Sequence, residues 1–453
     1  MNLEKNQTLI VEIIDLTHEG LGVAKLERYP LFIENALPGE IVEVLIMKLG
    51  KKFGFAKVVK YLEKSDKRND EIEVALLRTG IADLGHLAYP QQLEFKRQQI
   101  VNLLKKTSQL ASVDVAKTIG MAQPFAYRNK AQIPVRKVDG VLQTGFFRKH
   151  SHDLVPIENY YIQDKVIDQI VLKCRDLFRK FNLKAYDEQA KTGLIKNVVV
   201  RRGRYSGEVM VVIVSTKPKI FRIDELVHEL VAAFPAIKSV MQNIHPFMTN
   251  NIFSSEFQIL YGQDFITDSL LGNQFKINAL SFYQVNTEMA EILYQKAIEL
   301  ANLQVDDVVI DAYCGIGTIG QSIAKCVQHV YGVEIVPEAI INAQENGILN
   351  GLNNLTYEVG RAEDILPKWI NEGIKPSVFI IDPPRKGLAE SFIQASAATS
   401  PEKIVYVSCN PATFIRDAAL YNQFGYQLKQ IIPVDLFPQT KHVELVGLIT
   451  KKK

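Results

Sequence analysis

The sequence predicts three successive domains, each of a different fold class, in a chain of 453 residues. Short strands separated by glycine and proline turns fill residues 1–62 and predict a small β-barrel. Residues 63–275 mix helical patterns with hairpin signals, which predicts an α+β domain with an antiparallel sheet. From 276 to 453, apolar strands alternate with helices, and this alternation predicts a Rossmann-like α/β domain with a doubly wound parallel sheet.

Composition and charge exclude several classes of protein. The 53 lysines and arginines exceed the 50 acids by only three, so a nucleic-acid partner would need a local basic surface. No stretch approaches the roughly 18 apolar residues of a membrane helix, and no signal peptide is visible. None of the four cysteines forms a C-x-x-C pair, which predicts no metal site and no disulfide framework and fits a reduced, cytoplasmic location.

Apolar runs in the N-terminal zone have the length and spacing of barrel strands. They are TLIVEIID, PLFIEN, EIVEVLIMK and GFAKVVKYLEK. This pattern is typical of a barrel of the OB type. Residues 48–68 carry eight lysines and arginines against two acids, with aromatic residues between them. Lys51, Lys52 and Phe53 are therefore candidate RNA contacts, although a solvated barrel face explains the pattern equally well.

The middle zone combines a helical pattern with hairpins. An Asp-Gly pair at 139–140 lies between two alternating runs, KAQIPVRKV and VLQTGFF, and is a strong hairpin signal. The segment QQLEFKRQQIVNLLKK predicts an amphipathic helix, and part of 91–125 is expected to pack with the C-terminal domain. Arg128, Lys130 and Phe146 lie in or beside basic clusters and are further candidate RNA contacts.

A glycine-rich turn follows an apolar strand in the C-terminal zone. The segment VVIDAYCGIGTIG contains a G-x-G-x-x-G spacing from Gly315, and Glu334 lies 19 residues beyond it at the end of the next strand. A carboxylate there can accept hydrogen bonds from ribose hydroxyls. The pattern fits a dinucleotide site or an S-adenosylmethionine site, and Asp311 ahead of the glycines is typical of the second. A purely structural turn is the third alternative.

The segment FIIDPPRKG ends another apolar strand. Its two prolines fix the backbone and remove donors, so the chain leaves the sheet directly after Asp382. Open α/β sheets bind ligands at the carboxyl ends of their strands, which makes Asp382 a candidate binding residue; a surface loop acid is the alternative. Arg385 stands where amino-methylating enzymes of this architecture favour an aromatic residue, which argues against that chemistry.

Cys409 lies at a third strand end, between the apolar run KIVYVS and a proline that favours the start of a helix. The field of a helix N-terminus stabilises a thiolate, so we expect the pKa of Cys409 to be lowered and the residue to act as a nucleophile. A cysteine that merely fills space is the alternative. Cys314, inside the glycine turn, is better interpreted as part of the cofactor site.

Glu444 lies between apolar residues near the C-terminus, in the segment FPQTKHVELV. An acid in an apolar strand can have a raised pKa and act as an acid–base group. The segment by itself favours a simpler interpretation, in which Glu444 sits at a sheet edge and faces water.

Taken together, these segments resemble the RNA uracil-5-methyltransferase family. The matching segments are, in chain order, SFYQVN, DAYCGIGTIG, GVE, DPPRKG, SCNP and HVE. YRNKAQIPV in the middle zone is also similar to the family, and the N-terminal zone resembles a TRAM domain. The resemblance covers nearly the whole chain and implies a C-terminal domain of the class I methyltransferase fold.

The resemblance also implies roles for individual residues. The implied contacts to S-adenosylmethionine are Gln284, Tyr313, Glu334, Asp382, Asp311 and Gly315. Cys409 is the implied nucleophile, which adds to carbon 6 of uracil, and Glu444 is the implied base, which removes the carbon-5 proton. Phe282 in SFYQVN is the expected contact to the substrate base. Either Gln284 or Asp382 can also hydrogen-bond the uracil carbonyls.

One departure from the family concerns an iron–sulfur cluster, which several relatives hold between the barrel and the catalytic domain. The equivalent stretch here, residues 78–99, contains no cysteine, so we predict no cluster. Because tRNA members of the family commonly lack the N-terminal barrel, the resemblance implies a cytoplasmic, monomeric 23S rRNA uracil-5-methyltransferase that uses S-adenosylmethionine. The alternatives are the same chemistry on tRNA, a non-catalytic RNA-binding assembly factor, and, more weakly, a nicotinamide oxidoreductase.

Overall fold

The computed structural model describes residues 3–149, 151–247, 249 and 251–452. Its strands are β1 Thr8–Glu12, β2 Asp15–Leu16, β3 Gly22–Leu26, β4 Tyr29–Glu34, β5 Ile41–Leu49, β6 Gly54–Glu63, β7 Asp114–Val115, β8 Lys130–Val138, β9 Val141–Phe147, β10 Leu154–Pro156, β11 Ile195–Arg202, β12 Val209–Ser215, β13 Ile237–Ile244, β14 Phe257–Gly262, β15 Phe265–Leu270, β16 Asn273–Asn278, β17 Val308–Ala312, β18 His329–Glu334, β19 Leu355–Val359, β20 Val378–Ile381, β21 Lys403–Ser408, β22 Tyr426–Val434 and β23 Glu444–Lys451.

The helices alternate with strands mainly in the C-terminal part of the chain. They are α1 Val74–Leu77, α2 Tyr89–Lys105, α3 Lys165–Lys180, α4 Ile223–Ala233, α5 Thr287–Ala301, α6 Thr318–Ile323, α7 Pro337–Leu349, α8 Ala362–Asn371, α9 Glu390–Ala398 and α10 Pro411–Gln423. Short 3-10 turns lie at Ser108–Leu110 and Ala324–Cys326. Within the described ranges, no helix is both long and apolar enough to cross a membrane.

The N-terminal strands form one six-stranded sheet in the order β1-β5-β6-β4-β3-β2. Alternate side chains are fully buried in its core, including Leu31 and Ile33 of β4 and Val42 and Val44 of β5. This alternation is expected for strands that turn one face to a core and the other to water. The strand-rich N-terminal domain predicted from the sequence is therefore confirmed.

The loop between β2 and β3 docks this N-terminal domain against the C-terminal one. Glu19 in the loop forms an ion pair with Lys441. The Gln99 side chain of α2 donates a hydrogen bond to the His18 carbonyl at 3.3 Å. Because Lys441 lies three residues before the start of β23, the N-terminal domain touches the segment that leads into that strand.

The central sheet has seven strands in the order β10-β9-β8-β11-β12-β13-β14. The hairpin predicted at 139–140 is present: Val138 pairs with Val141, and both turn residues have a positive φ, as a two-residue hairpin turn requires. The pairing is antiparallel except between β12 and β13, which are parallel. A parallel pair needs a crossover, which α4 supplies, so the sheet predicted as antiparallel contains one parallel pair.

The C-terminal sheet has eight strands in the order β19-β18-β17-β20-β21-β23-β22-β7. The pairs from β19 through β21 are parallel, as the alternation of strands and helices predicts, and β23 runs antiparallel to β21. The far edge uses an earlier part of the chain, since β7 pairs with β22 and α2 packs against α10. The domain limits drawn from the sequence stay predictions, with residues 89–115 on the catalytic side.

The direction of β23 decides which residues meet at the carboxyl edge of the parallel strands. Because β23 is antiparallel to β21, its first residues lie at the edge where β21 ends, and Leu445 pairs with Ser408. Glu444 and Cys409 are the next residues on either side of that pair. The sheet therefore brings together two residues that α10 and β22 separate in the sequence.

Candidate active site

A pocket of about 600 Å³ opens at the carboxyl edge of the C-terminal sheet. This volume lies within the roughly 300–1,000 Å³ of small-molecule sites. The pocket is lined by every residue that the sequence predicted for catalysis and cofactor binding and by one predicted substrate contact: Cys409, Glu444, Gln284, Tyr313, Glu334, Asp382, Asp311, Gly315 and Phe282. The strand ends β17, β18, β20 and β21 supply most of them, as expected for an open α/β sheet.

The glycine turn after β17 has backbone conformations that residues other than glycine rarely adopt. Tyr313, Gly315 and Gly317 all have positive φ angles, of 65°, 56° and 79°. A Cβ added at Gly317 would lie 2.5 Å from the Tyr357 hydroxyl, so this position also needs glycine for space. Asp311 accepts the Gly320 amide at 2.8 Å and fixes the turn against the start of α6.

Glu334 at the end of β18 faces the glycine turn. Its carboxylate accepts the amides of Gly315 at 3.3 Å, Ile335 at 2.8 Å and Val336 at 3.1 Å. These bonds hold the side chain in one orientation. A carboxylate has about four acceptor positions, so Glu334 can still accept a hydrogen bond from a ligand hydroxyl.

Two buried acids, Asp311 and Glu444, and the half-buried Asp382 line the pocket. Burial raises the pKa of Asp311 to about 7, and burial together with the neighbouring Asp311 raises the pKa of Asp382 to about 7. Burial and the charge of Asp382 hold the pKa of Glu444 well above its usual range. A pocket with this many desolvated acids suits a positively charged ligand, which would favour their ionised forms.

Cys409 is half-buried at the end of β21, just before α10. The side chain of Asn410 caps that helix by accepting the Ala412 amide at 3.1 Å, and it donates to the Arg385 carbonyl at 2.9 Å. These bonds fix the turn that carries the thiol. The thiol itself is left facing the pocket.

The predicted lowering of the Cys409 pKa is wrong for the protein without ligands. Burial, followed by the charges of Glu444 and Asp382, raises the pKa of the thiol to about 11, and Arg385 opposes this only in part. The helix field acts within the first turn, whereas Cys409 lies two residues before the first helical residue, Pro411. Desolvation and the two acids therefore outweigh the helix.

Glu444 does not lie at a water-facing sheet edge. Its side chain is only 5% exposed, and β23 is an interior strand between β21 and β22. The simpler interpretation of this glutamate is therefore wrong. Its role as a base stays a prediction that the burial and the raised pKa support.

The remaining predicted RNA contacts lie outside the pocket. Phe53 is 44% exposed and packs against Phe32 and Phe55, beside Lys51 and Lys52 in the turn between β5 and β6. Their role as RNA contacts stays a prediction.

In the central domain, Phe146 is half-buried and meets Tyr160 edge-on, with ring centroids 5.5 Å apart. Lys130 is also half-buried, and burial and the nearby Arg201 and Arg128 lower its pKa to about 7. The roles of Phe146, Lys130 and Arg128 as RNA contacts stay predictions too.

Sequence reasoning did not assign several residues that line the pocket. His442 and Phe437 enter from the segment before β23, and Arg385 and Lys386 from the turn after β20. Burial and the nearby Arg385 lower the pKa of His442. Their positions in the sequence could have indicated them, since these residues lie in the same segments as Glu444 and Asp382. Within the described residues, no cluster of histidine, cysteine and acidic side chains could hold a metal ion.

Comparison with solved structures identifies the fold to which this sheet belongs. The fold matches a crystal structure described as Pyrococcus abyssi tRNA (uracil-54, C5)-methyltransferase in complex with S-adenosyl-L-homocysteine. The TM-score is 0.78 at 24% identity, and the match covers 97% of this chain and 99% of that one. The C-terminal domain therefore has a class I methyltransferase fold.

Sequence comparison then shows the family. The family model described as tRNA (Uracil-5-)-methyltransferase matches residues 88–453, and the TRAM domain model matches residues 3–59. The chain belongs to the tRNA (uracil-5-)-methyltransferase family and carries a TRAM domain at its N-terminus. It is therefore an enzyme of the RNA uracil-5-methyltransferase class, and the resemblance seen in the sequence is confirmed.

Curated relatives from streptococci match over almost the entire chain. An uncharacterized RNA methyltransferase of Streptococcus pyogenes serotype M18 is 56% identical over 450 residues, which is 99% of this chain and 97% of that protein. An uncharacterized RNA methyltransferase of Streptococcus agalactiae serotype V is 55% identical over 449 residues, covering 99% of this chain and 100% of its own length.

Proposed function

We propose that the protein transfers a methyl group from S-adenosylmethionine to carbon 5 of a uridine in 23S rRNA, with Cys409 as nucleophile and Glu444 as base. The observation that carries this proposal is the meeting of a half-buried thiol and a buried carboxyl group at neighbouring strand ends, in the same pocket as the glycine turn. A thiol and an acid–base group are what covalent activation of a weak carbon nucleophile needs.

The lining of the pocket fits S-adenosylmethionine. The desolvated acids Asp311 and Asp382 suit a sulfonium cation, and Glu334 has acceptor positions for ribose hydroxyls. Open space around Gly315, where an added Cβ would meet nothing within 4 Å, leaves room for a ligand against the backbone. When bound, S-adenosylmethionine supplies a methyl carbon that its sulfonium activates for attack by carbon 5.

Cys409 begins the reaction by adding to the uracil ring. Because the pKa of the free thiol is about 11, its proton must pass to solvent as the substrate enters, and the positive charge of the neighbouring Arg385 favours the thiolate that is left. The Sγ–C6 bond then forms, the C5=C6 double bond breaks, and its electron pair moves through carbon 4 to O4 as an enolate. Carbon 5 of this adduct is a far stronger nucleophile than carbon 5 of free uracil.

Glu444 completes the reaction after carbon 5 carries the methyl group. Glu444 first loses its own proton to solvent, and the resulting carboxylate then removes the hydrogen still bonded to carbon 5. The electron pair of that C–H bond re-forms the C5=C6 double bond, the C6–Sγ bond breaks, and Cys409 leaves as a thiolate. The raised pKa of Glu444 makes its carboxylate a stronger base than an ordinary glutamate.

The choice of 23S rRNA rests on the N-terminal domain and its basic, aromatic turn. Lys51, Lys52 and Phe53 are exposed there, and cations beside an exposed aromatic ring suit an RNA backbone and an unstacked base. In the same proposal, Arg128, Lys130 and Phe146 help the central domain to grip the folded RNA.

Transfer RNA is the second candidate substrate, because the solved structure whose fold this chain matches is described as a tRNA methyltransferase. The match to the P. abyssi tRNA enzyme covers 97% of this chain, so it includes nearly all of the N-terminal barrel. The presence of this domain therefore does not separate the two RNA substrates.

The test is methyl transfer from labelled S-adenosylmethionine to unmodified 23S rRNA and tRNA transcripts, followed by nucleoside analysis. Label in 5-methyluridine of 23S rRNA alone would support both the chemistry and the substrate. Label in tRNA alone would keep the chemistry and overturn the substrate. No label in either RNA, with cofactor bound, would favour a non-catalytic assembly factor or a ribosomal-particle substrate.

We further propose that the enzyme acts as a cytoplasmic monomer without an iron–sulfur cluster. A thiol nucleophile suits a reducing compartment, and Cys409, Cys314, Cys174 and Cys326 are all free thiols. Light scattering on the purified protein tests the monomer, and stoichiometric iron after anaerobic purification would contradict the absence of a cluster.

A further inference from the structure

The loop from 279 to 286 presents two large apolar side chains beside the pocket. Leu280 is 58% exposed and Phe282 is 69% exposed, whereas Ser281 between them is only 6% exposed. Phe282 lines the pocket, and Leu280 stands two residues before it, outside the lining. Neighbouring apolar side chains this exposed, continuous with a ligand site, indicate a surface that contacts something apolar.

The backbone of this loop is held from two neighbouring elements. Arg201 of β11 donates from Nη1 to the Asn278 carbonyl at 2.9 Å and from Nη2 to the Ser281 carbonyl at 2.8 Å. Ser281 Oγ accepts the Asn278 amide and Nδ2 of Asn342 on α7, each at 3.1 Å. The backbone is therefore held at Asn278 and at Ser281, on either side of Leu280, while the Leu280 side chain is exposed.

Arg201 holds the loop although the burial of its own charge is energetically unfavourable. Its side chain is only 4% exposed, and burial lowers its pKa to about 10. Two carbonyl dipoles compensate a buried guanidinium less completely than a carboxylate does. An unfavourable burial of this kind is tolerated where it sets the position of a functional segment.

The substrate chemistry explains what a rigid apolar side chain at this place can do. A uridine that reaches Cys409 must leave its stack, and the gap that it leaves is unfavourable by a few kcal/mol. Proteins that unstack nucleic acids insert leucine, phenylalanine or similar wedges into such gaps. The exposed cations Arg385 and Lys386 line the same pocket and can hold the phosphates of the strand there.

We propose that Leu280 is a wedge that packs against the RNA base next to the target uridine, in the space that the flipped uridine leaves, and that Arg201 is the positioning residue that holds this wedge. The inference rests on the proposed function, because it takes a uridine in structured RNA as the substrate. Phe282, at the pocket itself, contacts the flipped base, whereas Leu280 packs against the base next to it in the RNA.

The test compares two RNAs in single-turnover methylation at saturating protein. The first is the fragment that contains the uridine mapped in the wild-type reaction, and the second is the same fragment with abasic sites on both sides of that uridine. Leu280→Ala should slow methylation of the first RNA roughly 10-fold and of the second less than about twofold, because one stacking contact is worth about 1–3 kcal/mol. Val305→Ala, 83% exposed before β17 at the opposite sheet edge, is the control and should change neither rate.

Arg201→Met tests the positioning role separately. Methionine fills much the same volume and removes a buried charge whose hydrogen-bond partners are two backbone carbonyls, so the variant is expected to fold. The loss should again be selective for the stacked RNA, and Arg201→Lys should restore part of it. Equal loss on both RNAs, or a large fall in thermal midpoint with no selectivity, would remove the positioning role.

The outcomes separate this inference from the function on which it rests. If the wild-type protein makes no 5-methyluridine in any RNA, the proposed function fails and the wedge fails with it. If the wild-type protein methylates the fragment and Leu280→Ala behaves like it, or slows both RNAs equally, the wedge alone is overturned.

Discussion

The two halves of the pocket lie at the same sheet edge but differ in whether backbone amides donate hydrogen bonds to their acidic side chains. In the half under the glycine turn, Glu334 accepts three backbone amides and Asp311 accepts the Gly320 amide. In the other half, among the described residues, no hydrogen bond contributes to the pKa of Glu444, which burial and the neighbouring Asp382 raise.

We infer that the half under the glycine turn binds the cofactor and that the other half carries out the chemistry. Acids that the backbone already holds are preorganised and suit a ligand that must be placed but does not react through them. An acid without such bonds changes protonation state more easily, which suits a group that exchanges protons with a substrate. The following predictions test whether the pocket divides in this way, from the largest effect to the smallest.

Replacing the nucleophile should have the largest effect. Cys409→Ala removes the group that activates carbon 5, so methyl transfer should fall by about 10³-fold or more, as for other catalytic nucleophiles. The measurement is transfer of labelled methyl to RNA. Cofactor affinity should not change, because the thiol lies in the other half of the pocket. Cys326→Ala, an exposed thiol away from the pocket, is the matched control; a Cys409→Ala enzyme with more than a tenth of wild-type activity would refute the assignment.

Replacing the base should reduce turnover nearly as much, but it should also cause a covalent intermediate to accumulate. Glu444→Gln keeps the shape and removes the basicity, so turnover should fall roughly 10²- to 10⁴-fold while a covalent protein–RNA adduct accumulates. Denaturing gels with labelled RNA reveal such an adduct. Glu402→Gln, exposed at the other edge of the sheet, should behave as wild type. Slow turnover without any adduct would assign Glu444 to a step before carbon 6 is attacked.

Replacing an acid in the preorganised half should act on binding alone. Glu334→Gln removes a charged acceptor and places an amide against backbone donors, so the Kd for S-adenosylhomocysteine should rise roughly 10-fold. Calorimetric titration measures this, with Glu338→Gln on the surface of α7 as the control. Methylation at saturating cofactor should fall far less than in Glu444→Gln. A fall in that rate with no change in Kd would break the proposed division.

A change of pH, which alters the protonation of Asp382 and Asp311, should have the smallest effect, and it should act on the affinity for S-adenosylmethionine. The pKa values of Asp382 and Asp311 are each about 7, so their carboxylates form as the pH rises from 6 to 8. The Kd for cationic S-adenosylmethionine should therefore fall over this interval, relative to that for S-adenosylhomocysteine, by roughly fivefold. Titrations of both ligands at constant ionic strength test this. Asp382→Asn should flatten the dependence, and affinity for the cation that weakens with rising pH would contradict it.

Much of the fold could be predicted because its signals are local. Alternating apolar strands and helices predicted the parallel part of the C-terminal sheet, and the Asp-Gly pair at 139–140 predicted the hairpin of β8 and β9. Pairing between distant segments has no such signal. The parallel pair β12–β13 and the addition of β7 to the edge of the catalytic sheet depend on contacts that no short window of sequence contains.

The sequence by itself determined which side chains carry the chemistry and that several of them follow strand ends, because residue types, glycine spacing and prolines are read directly from the chain. Only the tertiary structure decided what those side chains meet. The antiparallel course of β23 sets Glu444 beside Cys409, and the resulting burial and charge raise the pKa of the thiol to about 11, where the helix N-terminus alone predicted a lower one. Desolvation and neighbouring charges depend on the whole fold, and here they outweigh the local field.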